Sequence, residues 1–301
     1  MELIMYDSEM QQHIDALLEG AYDLHVHPAP SHIHRIIDDI ELYQQAAQKR
    51  MGGVMLKCHY EPTGARAQLV NSHYKTGDTV AIGSITLNWP VGGLNPYAVE
   101  SACRMGAKYI WMPTRDAFHS LEFGNMIGDF FDRPGIKLVD ENGKLLPSVY
   151  EVLDIARGKN VAVATGHIAL DEAVTLCREG TKLGNKMVLT HPEWSRTMVP
   201  LSLQSDLAKQ GVWIEKVWLN IAEKDATADY LFHTIREIGP EHIILGTDSG
   251  KDVSDHEKTP LLFPIDAYQD MLQMFISYGF SDSEIDTMSK KNPDYLINRA
   301  N

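Results

Sequence analysis

The chain has 301 residues and a formal net charge of −14, which argues against nucleic acid as a partner because nucleic acid binding requires a basic face. Its hydrophobic content of 44% and charged content of 23% are typical of a soluble globular protein, and no apolar run approaches the roughly 18 residues of a membrane span. Cys58, Cys103 and Cys177 are scattered and odd in number, and no signal-peptide pattern opens the chain, so we expect a cytoplasmic protein without disulfides.

Short apolar runs rich in β-branched residues alternate with amphipathic stretches along the chain. The runs predict eight strands, at about 21–27, 53–58, 80–87, 108–113, 161–166, 187–191, 212–217 and 243–248. The stretches between them predict helices at about 36–50, 62–76, 96–106, 148–158, 170–184, 200–210 and 226–238. Such alternation is typical of parallel strands joined by crossover helices, and eight strands favour a (β/α)8 TIM barrel over an open sheet. We predict one barrel domain over residues 1–301.

Two segments depart from this alternation. The stretch 114–147 is an insertion after the fourth strand, and Glu141-Asn142-Gly143-Lys144 between two apolar runs predicts a short β-hairpin within it. Beyond the last strand, 263–277 and 281–298 predict a C-terminal helical extension. Long insertions after a barrel strand usually shape a substrate pocket or a subunit contact, so the sequence leaves a homo-oligomer open.

Side chains that bind metals mark four of the predicted strand ends. His25 and His27 stand two apart in the first strand, and residues two apart on a strand point to the same side. His167, His191 and Asp248 stand at the ends of the fifth, sixth and eighth strands. An isolated His-x-His pair is weak evidence, since most such pairs are packed or surface histidines. The carboxyl ends of barrel strands converge on one mouth, so the whole set predicts a divalent metal site.

This constellation resembles the amidohydrolase superfamily over nearly the whole chain. The stretch Lys291-Asn292-Pro293-Asp294-Tyr295-Leu296-Ile297 is similar to the Asn-Pro-Ala-x-x-Leu element near the C-terminus of that superfamily. The resemblance implies that His25, His27, His167 and Asp248 bind one or two divalent ions, with His191 as a second-metal ligand or an acid/base group. Zinc suits these donors best, with manganese and iron as alternatives.

The resemblance also implies a reaction, the cleavage of an amide, lactone or other ester by a metal-activated water. Asp248 would then accept the proton of that water and pass it to the leaving group.

One feature of the superfamily pattern is missing. Members with two metals commonly place a carboxylated lysine or a glutamate at the end of the fourth strand, where this chain has Tyr109-Ile110-Trp111-Met112-Pro113-Thr114. The nearest substitute is Lys57, at the end of the second strand. Three interpretations of Lys57 stay open: a carboxylated catalytic lysine that bridges two metals, an ammonium that binds an anionic substrate, or a snorkelling side chain paired with an acid.

Further polar side chains are predicted to surround the mouth. Glu215, inside the seventh strand, is open between a ligand or proton shuttle, a partner of Lys57 and a solvated strand residue. The predicted substrate-binding set is His59, Arg66, Asn88, Arg115, His119 and Glu215. Cationic donors in so acidic a chain favour a small anionic substrate, although a surface role is the simpler account of each residue alone.

Other functions remain open at this point. A metal-dependent decarboxylase could use the same kind of barrel, and a phosphoesterase of the PHP type can begin with a similar Asp-x-His-x-His motif. A metal-binding scaffold without activity is the non-enzyme alternative. No P-loop, dinucleotide-binding glycine motif or Gly-x-Ser-x-Gly motif is present, so nucleotide and serine-hydrolase functions lack support.

Overall fold

The computed structural model describes residues 8–126, 129, 132–254 and 258–298. Eight parallel strands form one sheet in which neighbours follow chain order. Each predicted strand is confirmed, and each is shorter than its apolar run. The strands are β1 (Tyr22–Asp23), β2 (Gly53–Leu56), β3 (Val80–Thr86), β4 (Ala107–Trp111), β5 (Ala162–Ala164), β6 (Met187–Leu189), β7 (Trp213–Val217) and β8 (Ile243–Gly246).

The last strand returns to the first. The backbone N–H of Asp248 donates to the carbonyl of His25 at 2.7 Å, and the N–H of His27 donates to the carbonyl of Ser249 at 2.9 Å. Val26 and Ser249 form a parallel bridge between these bonds. The sheet therefore closes as the predicted (β/α)8 barrel, and its seam runs through the segments that carry the predicted metal ligands.

Helices cover the outside of the barrel. All seven predicted crossover helices are confirmed, and α1, α5 and α9 are additional. The helices are α1 (Ser8–Leu18), α2 (Asp39–Gln48), α3 (Gly64–His73), α4 (Pro96–Arg104), α5 (Phe118–Glu122), α6 (Pro147–Lys159), α7 (Leu170–Lys182), α8 (Leu201–Lys209), α9 (Leu219–Ala222), α10 (Ala228–Ile238), α11 (Pro264–Ser277), α12 (Asp282–Asp286) and α13 (Asn292–Ile297). Among the described residues, no helix has the length and apolar composition needed to cross a bilayer.

Local sequence sets where individual helices begin. The Asp38 side chain accepts hydrogen bonds from the N–H groups of Ile40 and Glu41 at the start of α2. Asn95, directly before Pro96, accepts from the first turn of α4 in the same way. Such caps satisfy N–H groups that have no partner inside the helix, so they position the loops between strands and helices.

The insertion and the C-terminal extension have different surroundings. In the insertion, Val139 and Leu145 form one antiparallel bridge, which confirms the predicted hairpin in a minimal form. In the extension, Leu296 and Ile297 of α13 pack into the cluster of apolar side chains inside the barrel. Asn292 donates to the carbonyl of Ile243, at the first residue of β8, at 2.6 Å. The extension therefore closes the amino-terminal end of the barrel.

A buried polar network lies between β7 and two helices. Lys216 has no exposed surface, and its ammonium donates to Glu193, Gln204 and Thr234. The distances to Gln204 Oε1 and Thr234 Oγ1 are both 2.8 Å. Burial lowers the pKa of Lys216, and the Glu193 carboxylate opposes that effect. All three donors of the ammonium are thus satisfied inside the protein.

Candidate metal centre

Three predicted ligands converge at the barrel seam. One ligand atom each of His25, His27 and Asp248 lies within 4.8 Å of the others. Asp248 Oδ1 is 3.0 Å from Nε2 of His25 and 3.0 Å from Nε2 of His27. Two imidazole nitrogens and a carboxylate oxygen at such spacing can reach one ion, so this group is the candidate metal centre.

The chain backbone adopts unusual conformations around these ligands. Asp248 and His191 have positive φ angles of 54° and 24°, which non-glycine residues seldom adopt. Gly250 lies so close to His27 that an added Cβ would come 2.2 Å from the His27 carbonyl oxygen. Gly166, directly before His167, has a φ of 64°, and an added Cβ there would come 2.4 Å from the Met112 carbonyl oxygen. Strain of this kind concentrates at functional sites, where the surrounding structure maintains it.

The other predicted histidines lie beside this group. The His191 ring centroid is 5.7 Å from that of His25 and 5.1 Å from that of His167. The His59 ring stacks on His27 with centroids 4.6 Å apart. His27, His59, His167, His191 and Asp248 all line one cavity of about 300 Å³ at the carboxyl ends of the strands.

Lys57 is buried in direct contact with the metal-ligand group. Its Nζ lies 2.6 Å from Nε2 of His25 and 3.7 Å from the centroid of the Trp111 ring. Burial lowers the pKa of Lys57 to about 8, although the Asp248 and Glu215 carboxylates act in the opposite direction. No acidic oxygen in the described part of the chain lies within salt-bridge distance of Nζ, which disfavours a snorkelling lysine paired with an acid.

Glu215 is fully buried, which rules out a solvated strand position. Its Oε2 lies 3.1 Å from Nδ1 of His25 and accepts the backbone N–H of His191 at 3.1 Å. One carboxylate thus contacts a metal-ligand imidazole from behind and the backbone of a second histidine. Contacts of this type are typical of carboxylates that orient metal ligands.

A known protein family matches most of this chain. The model of the Family of unknown function (DUF6282) matches residues 20–215, which include the barrel from β1 into β7. The chain belongs to this family. A comparison with curated proteins gives no match.

Solved structures share the fold of this DUF6282 member. An amidohydrolase from Pseudomonas aeruginosa has a TM-score of 0.64 and 10% identity, with 95% of this chain and 97% of that chain covered. A TatD homologue from Escherichia coli has a TM-score of 0.56 and 14% identity, covering 94% and 100%. A 2,6-dihydroxybenzoate decarboxylase from Rhizobium has a TM-score of 0.53 and 13% identity, covering 93% and 99%. The fold that the resemblance implied is confirmed.

The charge at the candidate metal centre is set by the Asp248 carboxylate and the imidazoles around it. Burial acts to raise the pKa of Asp248, but His25 and His27 hold it well below its usual value. Burial lowers the pKa of His27 and of His167 well below the usual range, and lowers that of His191 to about 4. Around neutral pH these groups present a carboxylate and neutral imidazoles, the forms that bind a metal.

His25 differs from its neighbours. Burial and the Lys57 ammonium act to lower its pKa, but the Asp248 and Glu215 carboxylates together raise it above its usual value. The pair therefore favours a positive charge between His25 and Asp248, which is the position where a divalent cation would lie. His167 Nδ1 is buried beside this group and has no hydrogen-bond partner among the described residues, which a bound cation would supply. The residues present fit a divalent ion.

The predicted substrate-binding set divides in two. His59 and Arg115 line the cavity. The other members, Arg66, Asn88, His119 and Glu215, are not among its lining residues. The Arg66 guanidinium binds Asp39 through two bonds of 2.7 Å, so it pairs with α2 instead of facing the mouth.

Asn88 and His119 have backbone and side-chain partners of their own. Asn88 is buried, and its side chain holds Thr114 through Oγ1 and the backbone N–H. Nε2 of His119 lies 2.6 Å from the Arg196 carbonyl oxygen. Both residues therefore connect loops around the cavity.

Sequence reasoning missed several cavity residues, among them Arg35 and Trp194. The Trp194 ring lies over His167 with centroids 4.6 Å apart and forms part of the cavity wall. Trp194 follows His191 by three positions, so its place in the loop after β6 was a usable signal. Arg35 lies in an irregular loop after β1, and no periodic pattern there shows which side chains point inward.

Proposed function

We propose that the chain is a metal-dependent hydrolase that cleaves an amide, lactone or other ester of a small metabolite. The observation that carries this proposal is the convergence of His25, His27 and Asp248 within 4.8 Å at a cavity that His167 and His191 also line. The fold shared with an amidohydrolase supports it. Zinc suits the imidazole and carboxylate donors best, and manganese or iron are alternatives.

A divalent ion bound by these residues would lower the pKa of a water molecule towards neutrality and polarise the carbonyl group to be cleaved. Asp248 remains ionised at neutral pH because His25 and His27 lower its pKa. We assign to Asp248 the acceptance of a proton from the attacking water and its delivery to the leaving group. His191 stays neutral, since burial lowers its pKa to about 4, and is available as a ligand or a hydrogen-bonding group.

Removal of the metal tests the proposal directly. The purified chain should cleave at least one member of a panel of lactones, amides and esters, lose that turnover after chelation, and regain it with zinc or manganese. Elemental analysis of the same samples, prepared with bicarbonate, gives the metal content per chain. Two metals would indicate Lys57 as a carboxylated bridge, and one would indicate an ammonium. Protein that binds no metal, or that turns over nothing when loaded, contradicts a hydrolase.

A metal-dependent decarboxylase is a second candidate. The end of β4 carries no lysine or glutamate, and the compact ligand group found in the described chain has three members, which suits a single ion. A decarboxylase from Rhizobium shares the fold. This function would be favoured if the protein releases carbon dioxide from aromatic or unsaturated carboxylic acids and hydrolyses no member of the panel of lactones, amides and esters.

Glu215 supplies a separate prediction for the metal centre. We expect Glu215→Gln to weaken metal binding by about 10- to 100-fold, because the amide no longer holds His25 Nδ1 with a full negative charge. Competition with a chromogenic chelator measures this affinity. Glu237→Gln, on the exposed face of α10, is the matched control and should bind metal like the wild type. Equal affinities in all three proteins would show that Glu215 does not position the site.

A further inference from the structure

Arg35 is a cation inside the cavity that lacks an anionic partner in the described structure. It lines the same cavity as His27 and Asp248, and its Nε is inaccessible to solvent without a hydrogen-bond partner among the described residues. The described ion pairs include none that involves Arg35. By contrast, Arg66 binds Asp39 and Glu61, and Arg133 binds Asp116 and Asp129. The Arg35 side chain as a whole is half-buried, and a partly desolvated guanidinium without a counter-ion is costly unless a ligand supplies one.

A second guanidinium lies near the first. Arg115 also lines the cavity, and Asp129 holds its Nη1 at 3.1 Å. Burial lowers the pKa of Arg35 to about 10, and the positive charge of Arg115 contributes to that decrease. Arg35 in turn lowers the pKa of His27, so its charge acts on the metal-ligand group. The cavity thus has a local positive region beside the candidate metal centre.

We propose that Arg35 binds a carboxylate of the substrate through the terminal Nη groups of its guanidinium, and that Arg115 strengthens this anion subsite. The planar fork of a guanidinium matches the two oxygens of a carboxylate. The carboxylate held there would place a neighbouring carbonyl group towards His27 and Asp248. The orientation of the substrate for cleavage rests on the proposed hydrolase function. The binding of a carboxylate by Arg35 does not depend on that function.

The rest of the cavity wall favours a single negative charge on a partly apolar molecule. Trp194, Leu219 and Val253 line it and can pack against a hydrocarbon or ring. Its charged lining also includes Asp225, Asp252 and the ion pair of Lys251 with Glu223. The two further aspartates repel a phosphate dianion more strongly than a monoanion. The substrate class we infer is a small monocarboxylate that also carries an amide, lactone or ester bond.

Benzoate and benzamide are matched probes for this subsite, because they share a shape and differ in charge. Titration calorimetry with the full-length protein, as purified and after chelation, should show benzoate binding about 10- to 100-fold more tightly than benzamide, the range expected of charge-assisted hydrogen bonds. Arg35→Met should remove that preference and leave benzamide affinity unchanged. Arg35→Lys should retain part of it. Arg104→Met, on the exposed face of α4, should behave as the wild type.

The outcomes separate this inference from the proposed hydrolase. Equal binding of benzoate and benzamide, a benzoate affinity unaltered by Arg35→Met, or absence of saturable benzoate binding would each overturn the subsite, whatever the turnover. Inorganic phosphate that binds through Arg35 while benzoate does not would overturn the carboxylate assignment. A loss of benzoate preference in folded Arg35→Met, shown by unchanged far-UV circular dichroism, supports the subsite even if no hydrolysis is found.

Discussion

Asp248→Asn is expected to lower kcat by about 10²- to 10⁴-fold, the range typical of removing a general acid–base group. The asparagine keeps the size and one oxygen of Asp248 but cannot accept a proton from water. It also removes the negative charge that lies 3.0 Å from both His25 and His27. The measurement is kcat on the best substrate of the panel, divided by the metal content of each preparation.

The correction for metal content matters because Asp248 has two roles in the proposal. Asp171→Asn, on the exposed first turn of α7, is the matched control and should retain full activity and metal. If Asp248→Asn keeps wild-type kcat when fully loaded, another group moves the proton, and His191 becomes the leading alternative. If metal binding fails completely, Asp248 acts chiefly as a ligand.

Lys216→Met is expected to cost about 3–5 kcal/mol of unfolding free energy, the largest stability effect we predict. The substitution leaves the Glu193 carboxylate buried without its ammonium partner, and it removes the donors that Gln204 and Thr234 accept. Urea unfolding followed by circular dichroism measures the loss. Lys209→Met, at the exposed end of α8, should stay within about 0.5 kcal/mol of the wild type.

The double variant Lys216→Met with Glu193→Gln refines this prediction. Removing both charges should recover part of the stability, because a neutral pair leaves no uncompensated charge in the interior. A single Lys216→Met variant as stable as the wild type would mean that water reaches Glu193 when the ammonium is absent.

Much of the fold was predictable because the barrel repeats one simple pattern. Buried parallel strands are apolar on both faces, so a short apolar run such as Val54-Met55-Leu56 predicts a strand. The strand ends then placed His25, His167 and Asp248 at one mouth without any knowledge of distances. Lys57 was recognisable for a related reason, since a charged side chain at the end of a buried strand is costly unless it has a partner or a function.

What the sequence could not provide lies mostly in loops. Arg35 and Arg66 look equivalent in a list of cations, yet one faces the cavity and the other binds Asp39. The difference depends on backbone directions between β1 and α3, where no periodicity reports which side is inward. The first strand shows the same limit. Its apolar run predicted 21–27, but the regular strand ends at Asp23, and beyond it isolated bonds such as those of His25 and His27 to Asp248 and Ser249 continue the pairing.

The closed lower end of the barrel also bears on kinetics. Leu296 and Ile297 occupy the barrel interior opposite the cavity, and Asn292 fastens their helix to the first residue of β8. In the described structure, a small molecule therefore reaches the histidines from the carboxyl ends of the strands and leaves by the same side. Product that stays bound in the cavity excludes the next substrate molecule, so accumulated product should act as a competitive inhibitor. Progress curves should then slow before the substrate is consumed.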